Sequence, residues 1–163
     1  MNQLAVQVGA ALQAYSMMLV TAESCTGGGV ASAVTDIAGS SAWFDRGFVT
    51  YSNQAKVDML GISPDTLMRF GAVSEATVRE MVSGALQYSQ ANFALAVSGI
   101  AGPGGGTSDK PVGTVWFAWS IKAEASNARV YYLNGNREEI REQAVRIALE
   151  GVLDQLKQRA VIT

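Results

Sequence analysis

Ser24, Cys25 and Thr26 place two hydroxyl groups and a thiol side by side, and three glycines follow them. The apolar run 17–20 before them predicts a buried strand, and the segment 30–37 after them has apolar residues at helical spacing. The reactive groups therefore lie at a strand-to-helix turn, where glycine allows close approach of a ligand and free helix amides face negative charge. Such a turn can hold a phosphate, supply a nucleophile with its oxyanion hole, or simply be a tight turn that Ser24 or Thr26 caps.

The sequence contains no histidine, and its one cysteine is Cys25. These counts exclude a Ser-His-Asp triad, a Cys-His pair, an internal disulfide and nearly every zinc site. If Ser24 is a nucleophile, its base is therefore a lysine, a carboxylate or a tyrosine. Cys25 is the rival nucleophile, or else a small buried apolar side chain.

Tyr51 and Lys56 flank a second junction, where a predicted strand at 43–51 gives way to a predicted short helix at 53–61. Such junctions gather at the carboxyl ends of parallel strands, so Lys56 can reach Ser24 if the two strands are neighbours. A neutral lysine, its pKa lowered by desolvation, can take the hydroxyl proton, and Tyr51 can orient the lysine or relay the proton. Taken alone, Lys56 fits a solvated helix surface, and Tyr51 fits a core position at the end of a strand.

Backbone amides beside the glycines are candidates for an oxyanion hole. Some belong to the turn after Ser24, and others to the glycine-rich loop 99–111, which follows an apolar run at 93–98 typical of a strand covered on both faces. We expect this loop to approach a ligand or move over one, with a disordered surface segment as the alternative. The candidate substrate-binding residues of the two segments are Thr26, Gly27, Gly28, Ser98, Gly99 and Gly102.

Arg137 and Arg141 lie four residues apart near the predicted start of the last helix. The pair could clamp a phosphate, since arginine binds phosphate oxygens in a bidentate fashion. Cations at a helix N-terminus oppose its dipole, which favours a role other than helix stability. The alternative is ion pairing with Glu138 or Glu142.

The order of the elements predicts an α/β fold, a three-layer α/β/α sandwich on a mixed sheet of about five strands. Helices alternate with strands early in the chain, and a pair of strands that we expect to be antiparallel comes late. The remaining predicted elements are a helix at 3–15, a loop with one helical turn at 62–71, a helix capped by Ser74 and reaching about residue 90, strands at 112–121 and 128–133, and a helix from about 135 to 159.

The composition indicates one globular domain, residues 1–163, with 48% hydrophobic and 16% charged residues. A net charge of -2 lacks the basic surplus that nucleic-acid binding requires. The N-terminal segment lacks the basic region of a signal peptide, and no apolar run approaches the ~18 residues of a membrane span. We therefore expect a cytoplasmic protein with no nucleic-acid or membrane partner.

Six sequence blocks together resemble the CinA carboxy-terminal family. They are TAESCTGG at 21–28, GSSAWFDRGFVTYSN at 39–53, GAVSE at 71–75, SGIAGPGGG at 98–106, KPVGTVW at 110–116 and GNREEIR at 135–141. The resemblance covers almost the whole chain, and six blocks in the right order are far more specific than any one of them. No departure falls in the reactive blocks, whereas Gly29 stands where the family tolerates other residues.

This resemblance implies hydrolysis of the carboxamide of nicotinamide mononucleotide, with release of ammonia, in pyridine nucleotide recycling. It places the family's serine nucleophile on Ser24, its lysine on Lys56 and its tyrosine on Tyr51. It also implies a small-molecule nucleotide substrate, no metal or other cofactor, and a homodimer.

The mechanism is a hypothesis. Ser24, deprotonated by neutral Lys56, attacks the amide carbon, Lys56 protonates the departing ammonia, and water resolves the acyl-enzyme. Arg137, Arg141 and the glycine-rich turns hold the phosphate and ribose. Two alternatives stay open: an amidohydrolase for another small amide, and a non-catalytic nucleotide-binding or partner module, because domains of this family also occur fused to a second domain.

Overall fold

A computed structural model describes residues 1–162 and shows a five-stranded mixed sheet between two layers of helices. The strands are β1 (Leu19–Glu23), β2 (Phe44–Val49), β3 (Phe93–Gly99), β4 (Thr114–Ile121) and β5 (Asn127–Tyr132). The helices are α1 (Asn2–Ala14), α2 (Gly29–Thr35), α3 (Asn53–Leu60), α4 (Pro64–Phe70), α5 (Glu75–Gln87) and α6 (Arg137–Ile162), with a 3-10 helix at Ser40–Ala42. The predicted three-layer α/β fold is confirmed.

The sheet order is β2-β1-β3-β4-β5. Strand β1 is parallel to both β2 and β3, whereas β4 is antiparallel to β3 and to β5. The expected antiparallel pair at the end of the chain is therefore confirmed as β4 and β5. Because β1, β2 and β3 run in one direction, their carboxyl ends meet at one edge of the sheet.

Both faces of β3 are covered, which explains its nearly continuous apolar sequence. Leu95 and Val97 belong to the cluster that α1, α2 and α6 cover, whereas Ala94 and Ala96 belong to the cluster under α3 and α5. All four side chains are buried. Burying a large apolar side chain such as Leu95 contributes roughly 1.5–3 kcal/mol, so this central strand anchors the adjoining loops.

Helix α4 is the main difference from the sequence prediction, which gave a loop with one helical turn at 62–71. Pro64 occupies its first turn, as expected, but the helix continues to Phe70. None of its residues is buried, so no apolar periodicity marked it. Helix α2 differs in the opposite sense, because it ends at Thr35, two residues before the end of the segment 30–37 that has helical spacing.

Within residues 1–162, no helix is both long enough and apolar enough to cross a membrane.

Candidate active site

Ser24 lies directly after β1, at the edge where the parallel strands end. Its N–H donates to the Val97 carbonyl (2.9 Å), and its carbonyl accepts from the Gly27 N–H (3.0 Å), which closes a tight turn. Gly27 and Gly28 have φ angles of 58° and 98°, in the left-handed region that side chains rarely enter. The glycines thus allow the chain to reverse immediately after the nucleophile candidate.

Glu23 caps helix α2, a role that the sequence analysis did not assign. Its carboxylate is buried and accepts from the N–H groups of Val30 (2.8 Å) and Ala31 (3.0 Å). The alternative of a turn that Ser24 or Thr26 caps is therefore wrong, because neither side chain accepts from an amide of the turn or of the helix. The same contacts occupy two of the helix amides that were expected to face a ligand.

Lys56 is fully buried, with 0% of its surface exposed. Helix α3 places it, because Ser52 caps the helix by accepting from the Ala55 N–H (3.0 Å) and Gly61 ends it in the left-handed conformation. The alternative of a solvated lysine on the helix surface is wrong.

The Lys56 amine lies among three oxygen atoms. Nζ is 2.9 Å from Ser24 Oγ, 2.8 Å from the Thr50 carbonyl and 3.3 Å from the Tyr51 carbonyl. An ammonium can donate one hydrogen to each oxygen, whereas a neutral amine can donate to the two carbonyls and accept the Ser24 hydroxyl proton. The site therefore accommodates both states of a proton acceptor without moving the nitrogen.

Burial lowers the pKa of Lys56 from 10.5 to about 8, because the charged amine loses its hydration. A Cys25 thiolate would raise this pKa, but burial raises the pKa of Cys25 itself to about 11. The thiol is thus protonated near neutral pH and leaves the amine unaffected. Among the described residues, no carboxylate forms an ion pair with Lys56. A neutral amine is therefore accessible near neutral pH.

Cys25 is buried beside Ser24, and the two residues line one pocket. Because its thiol stays protonated near neutral pH, it is a poor nucleophile there. Its environment is that of a small buried apolar side chain, the second of the two interpretations that the sequence allowed.

Tyr51 contacts the reactive pair through its main chain. Its carbonyl accepts from Lys56 Nζ and, at 3.4 Å, from Ser24 Oγ. Its hydroxyl accepts from Arg137 Nη2 at 3.2 Å, and 61% of the residue is exposed. The alternative of a core tyrosine is thus wrong, and the contact that orients the lysine comes from the carbonyl.

The Ser24 hydroxyl opens into a pocket of about 300 Å³ at the carboxyl edge of the sheet. The predicted site residues that line it are Ser24, Tyr51, Lys56, Ser98, Gly99, Gly102 and Arg137. The predicted residues that do not line it are Thr26, Gly27, Gly28 and Arg141. The sequence analysis missed several apolar residues of the pocket wall, including Ala72, Val73 and Ile100. Their side chains have no reactive group, so the only sequence signal was their position in the blocks that resemble the family.

The glycine-rich loop is held at both ends and forms one wall of the pocket. At its base, the Ile100 N–H donates to the Thr114 carbonyl (2.9 Å) and the Gly113 N–H donates to the Ile100 carbonyl (2.7 Å). Farther along, Lys110 Nζ donates to the Phe70 carbonyl of α4 (2.7 Å). These contacts favour the predicted ligand-facing loop over a disordered surface segment.

The two arginines occupy different places. Arg137 is exposed at the pocket rim, and its Nη1 donates to the Gly102 carbonyl (2.7 Å). Arg141 donates from Nε to the Cys25 carbonyl (3.0 Å) and from Nη2 to the Thr26 carbonyl (3.3 Å). It therefore stabilises the turn at residues 24–27. In the described part of the chain, neither arginine forms the alternative ion pair with Glu138 or Glu142.

Two amides next to Ser24 have no oxygen acceptor. In the described structure, the N–H groups of Cys25 and Thr26 donate to no oxygen, whereas those of Ser24, Gly27 and Gly29 do. Preorganised amides of this kind stabilise the negative oxygen of a tetrahedral intermediate. The arrangement of hydroxyl, buried amine and free amides can therefore perform acyl transfer.

Within residues 1–162, no group of three or more His, Cys, Asp or Glu side chains is placed to hold a metal ion.

Comparison with known proteins gives one consistent family. The family model described as CinA C-terminal domain matches residues 1–156. The nicotinamide-nucleotide amidohydrolase PncC of Escherichia coli (strain K12) is 53% identical over 156 residues, which are 96% of this chain and 94% of that protein.

Solved structures match the fold closely. The competence/damage inducible protein CihA from Agrobacterium tumefaciens superposes with a TM-score of 0.90 at 50% identity, covering 96% of this chain and 94% of that one. A CinA superfamily protein from Klebsiella pneumoniae gives a TM-score of 0.93 at 41% identity, covering 96% and 98% of the two chains.

Proposed function

We propose that this chain, which belongs to the CinA C-terminal domain family, is a nicotinamide-nucleotide amidohydrolase that converts nicotinamide mononucleotide to nicotinate mononucleotide and ammonia. The observation that carries the proposal is the contact of 2.9 Å between the Ser24 hydroxyl and the buried Lys56 amine. The names of the full-length relatives supply the substrate, and the contact supplies a nucleophile and its base.

In the proposed mechanism, Lys56 Nζ takes the proton of the Ser24 hydroxyl as Oγ attacks the carboxamide carbon. The free amides after Ser24 bind the resulting oxyanion. Lys56 then gives its proton to the departing nitrogen, which leaves as ammonia, and an ester joins the nicotinoyl group to Ser24. Water attacks this ester while Lys56 takes its proton, and Ser24 regains a proton as the carboxylate leaves.

The charge of the pocket supports a nucleotide substrate. Among the described residues that line it, none is acidic, and Arg137 presents a guanidinium at the rim. We assign Arg137 to the phosphate and the apolar wall of Ala72, Val73 and Ile100 to the pyridine ring. Ser98, Gly99 and Gly102 also line the pocket and are assigned to the ribose.

The proposal is tested by incubating the purified protein with nicotinamide mononucleotide and measuring ammonia and nicotinate mononucleotide. We expect equal amounts of both products, without added metal. A panel of other small amides runs in parallel, and faster turnover of one of these would reassign the substrate. Calorimetric binding of the nucleotide without ammonia release would identify a non-catalytic module.

We further propose that residues 1–163 form one domain, which acts in the cytoplasm as a homodimer. All five described strands join one sheet, which supports the single domain. Helix α4 buries none of its residues and exposes 83% of Met68 and 47% of Phe70, which supports a partner copy on that surface. Light scattering after size exclusion measures the mass directly, and a monomer at micromolar concentration would reject the dimer.

A further inference from the structure

The Arg141 side chain forms hydrogen bonds with the main chain of a distant segment. It lies near the start of α6, yet Nε and Nη2 donate to the successive carbonyls of Cys25 and Thr26, more than a hundred residues earlier. It lines no part of the pocket. The sequence suggested a phosphate clamp for this residue, and its contacts indicate a different role.

The geometry of a peptide unit shows what these contacts do to the turn. The Cys25 carbonyl and the Thr26 N–H belong to one peptide bond, which is trans because the cis bond in the described chain is that between Gly102 and Pro103. In a trans peptide the C=O and N–H point in opposite directions. By holding the Cys25 carbonyl, Arg141 therefore directs the Thr26 N–H away from its own guanidinium.

The turn itself directs the same N–H toward the nucleophile. The Gly27 N–H donates to the Ser24 carbonyl (3.0 Å), so Ser24 is the first residue of the turn and Thr26 the third. In turns of this kind a serine hydroxyl at the first position can accept from the third residue's N–H, so this N–H lies on the side of the Ser24 side chain. Since the Thr26 N–H donates to no oxygen in the described structure, it remains free for a ligand atom beside the Ser24 hydroxyl.

We propose that Arg141 is a positioning residue for the oxyanion hole, which holds the Thr26 amide toward the tetrahedral oxygen during amide hydrolysis. The inference rests on the proposed function. Its consequence is specific, because an oxyanion contact stabilises the transition state more than the bound substrate. Loss of Arg141 therefore lowers kcat, whereas loss of a phosphate clamp raises KM for the nucleotide.

The test compares three variants on two substrates. Arg141→Met removes both donors, Arg141→Lys keeps one charged donor, and Arg146→Met is the matched control on the exposed face of the same helix. The substrates are nicotinamide mononucleotide and its riboside, which lacks the phosphate. Rates are expressed per folded protein, with circular dichroism and thermal melting to measure the folded fraction.

We expect Arg141→Met to lower kcat about 10- to 100-fold on both compounds, with KM and the midpoint of the pH–rate profile unchanged. Arg141→Lys should have a kcat between those of the wild type and Arg141→Met. If Arg141→Met does not fold, the kcat of Arg141→Lys is the deciding measurement. A rise in KM for the mononucleotide alone, or an unchanged kcat, overturns the inference and leaves the proposed function intact. A wild-type protein that releases no ammonia from either compound rejects both.

Discussion

Lys56 Nζ lies 2.9 Å from Ser24 Oγ although 32 positions separate the two residues in the sequence. Ser24 follows β1, and Lys56 lies in the helix that follows the neighbouring parallel strand β2. The contact is buried, and no carboxylate forms an ion pair with the amine in the described structure. Desolvation is therefore the main influence on the pKa of Lys56. A protein without histidine thus obtains a base whose pKa is close to neutrality.

Replacing Ser24 by alanine should lower ammonia release by at least about 10³-fold, because the proposed nucleophile of the acyl-enzyme is lost. Cys25→Ala is the matched control, and it should keep most of the activity because the neighbouring thiol is protonated near neutral pH. Both are measured with the coupled ammonia assay, alongside circular dichroism. Loss of activity in the cysteine variant alone would make Cys25 the nucleophile.

Activity should rise with pH up to about 8 and then level off. The attacking step needs neutral Lys56, and burial lowers the pKa of this amine to about 8, so the active fraction grows as pH increases through that value. The measurement is kcat/KM between about pH 6 and 10. Lys56→Arg keeps a charge at every pH in this range and should be inactive throughout. A flat profile for the wild type argues against Lys56 as the base.

The sequence predicted that Ser24 and Lys56 both follow strands at the same edge of a parallel sheet, and that they can meet if these strands are neighbours. The adjacency of those strands was not predictable, since alternating elements leave their order open. Tyr51 shows a second limit, because loop dihedral angles decide whether its carbonyl or its hydroxyl faces the lysine. Glu23 shows a third limit, because only the folded turn brings the first amides of α2 close to the Glu23 carboxylate.

Arg137→Met should raise KM for nicotinamide mononucleotide while leaving kcat close to that of the wild type. A charged hydrogen bond to a phosphate contributes about 1.5–3 kcal/mol, so KM should increase roughly 10- to 150-fold. The riboside, which lacks the phosphate, is the control substrate and should show a much smaller change. Equal increases for both compounds point instead to collapse of the rim, where Arg137 also binds the Gly102 carbonyl.

Gly84→Ala should destabilise the protein even though alanine favours helices by about 1 kcal/mol over glycine. A Cβ at Gly84 would lie 2.1 Å from the carbonyl oxygen of Leu60, so α5 would have to move away from the end of α3. Such overpacking costs about 1–3 kcal/mol beyond the propensity gain. Ser83→Ala, at the exposed neighbouring position, should change the free energy of unfolding by no more than about 0.5 kcal/mol. Urea unfolding measures the free energy of unfolding of both variants. Equal values for Gly84→Ala and Ser83→Ala would contradict the predicted clash with Leu60.

Glu23→Gln should weaken the start of helix α2. The glutamate uses both oxygens, one for the Val30 N–H and one for the Ala31 N–H, and glutamine has a single acceptor oxygen. One buried amide then lacks a partner, which costs about 1–3 kcal/mol in the free energy of unfolding.

Glu75→Gln provides the comparison, because the Glu75 carboxylate likewise lies at the start of a helix, in the first turn of α5, but is exposed and pairs with Arg79. An exposed pair of this kind contributes about 0.3–0.5 kcal/mol, so its loss should be small. Urea unfolding measures both variants under the same conditions. If the two substitutions lower the free energy of unfolding equally, the buried Glu23 carboxylate does not specifically stabilise the start of α2.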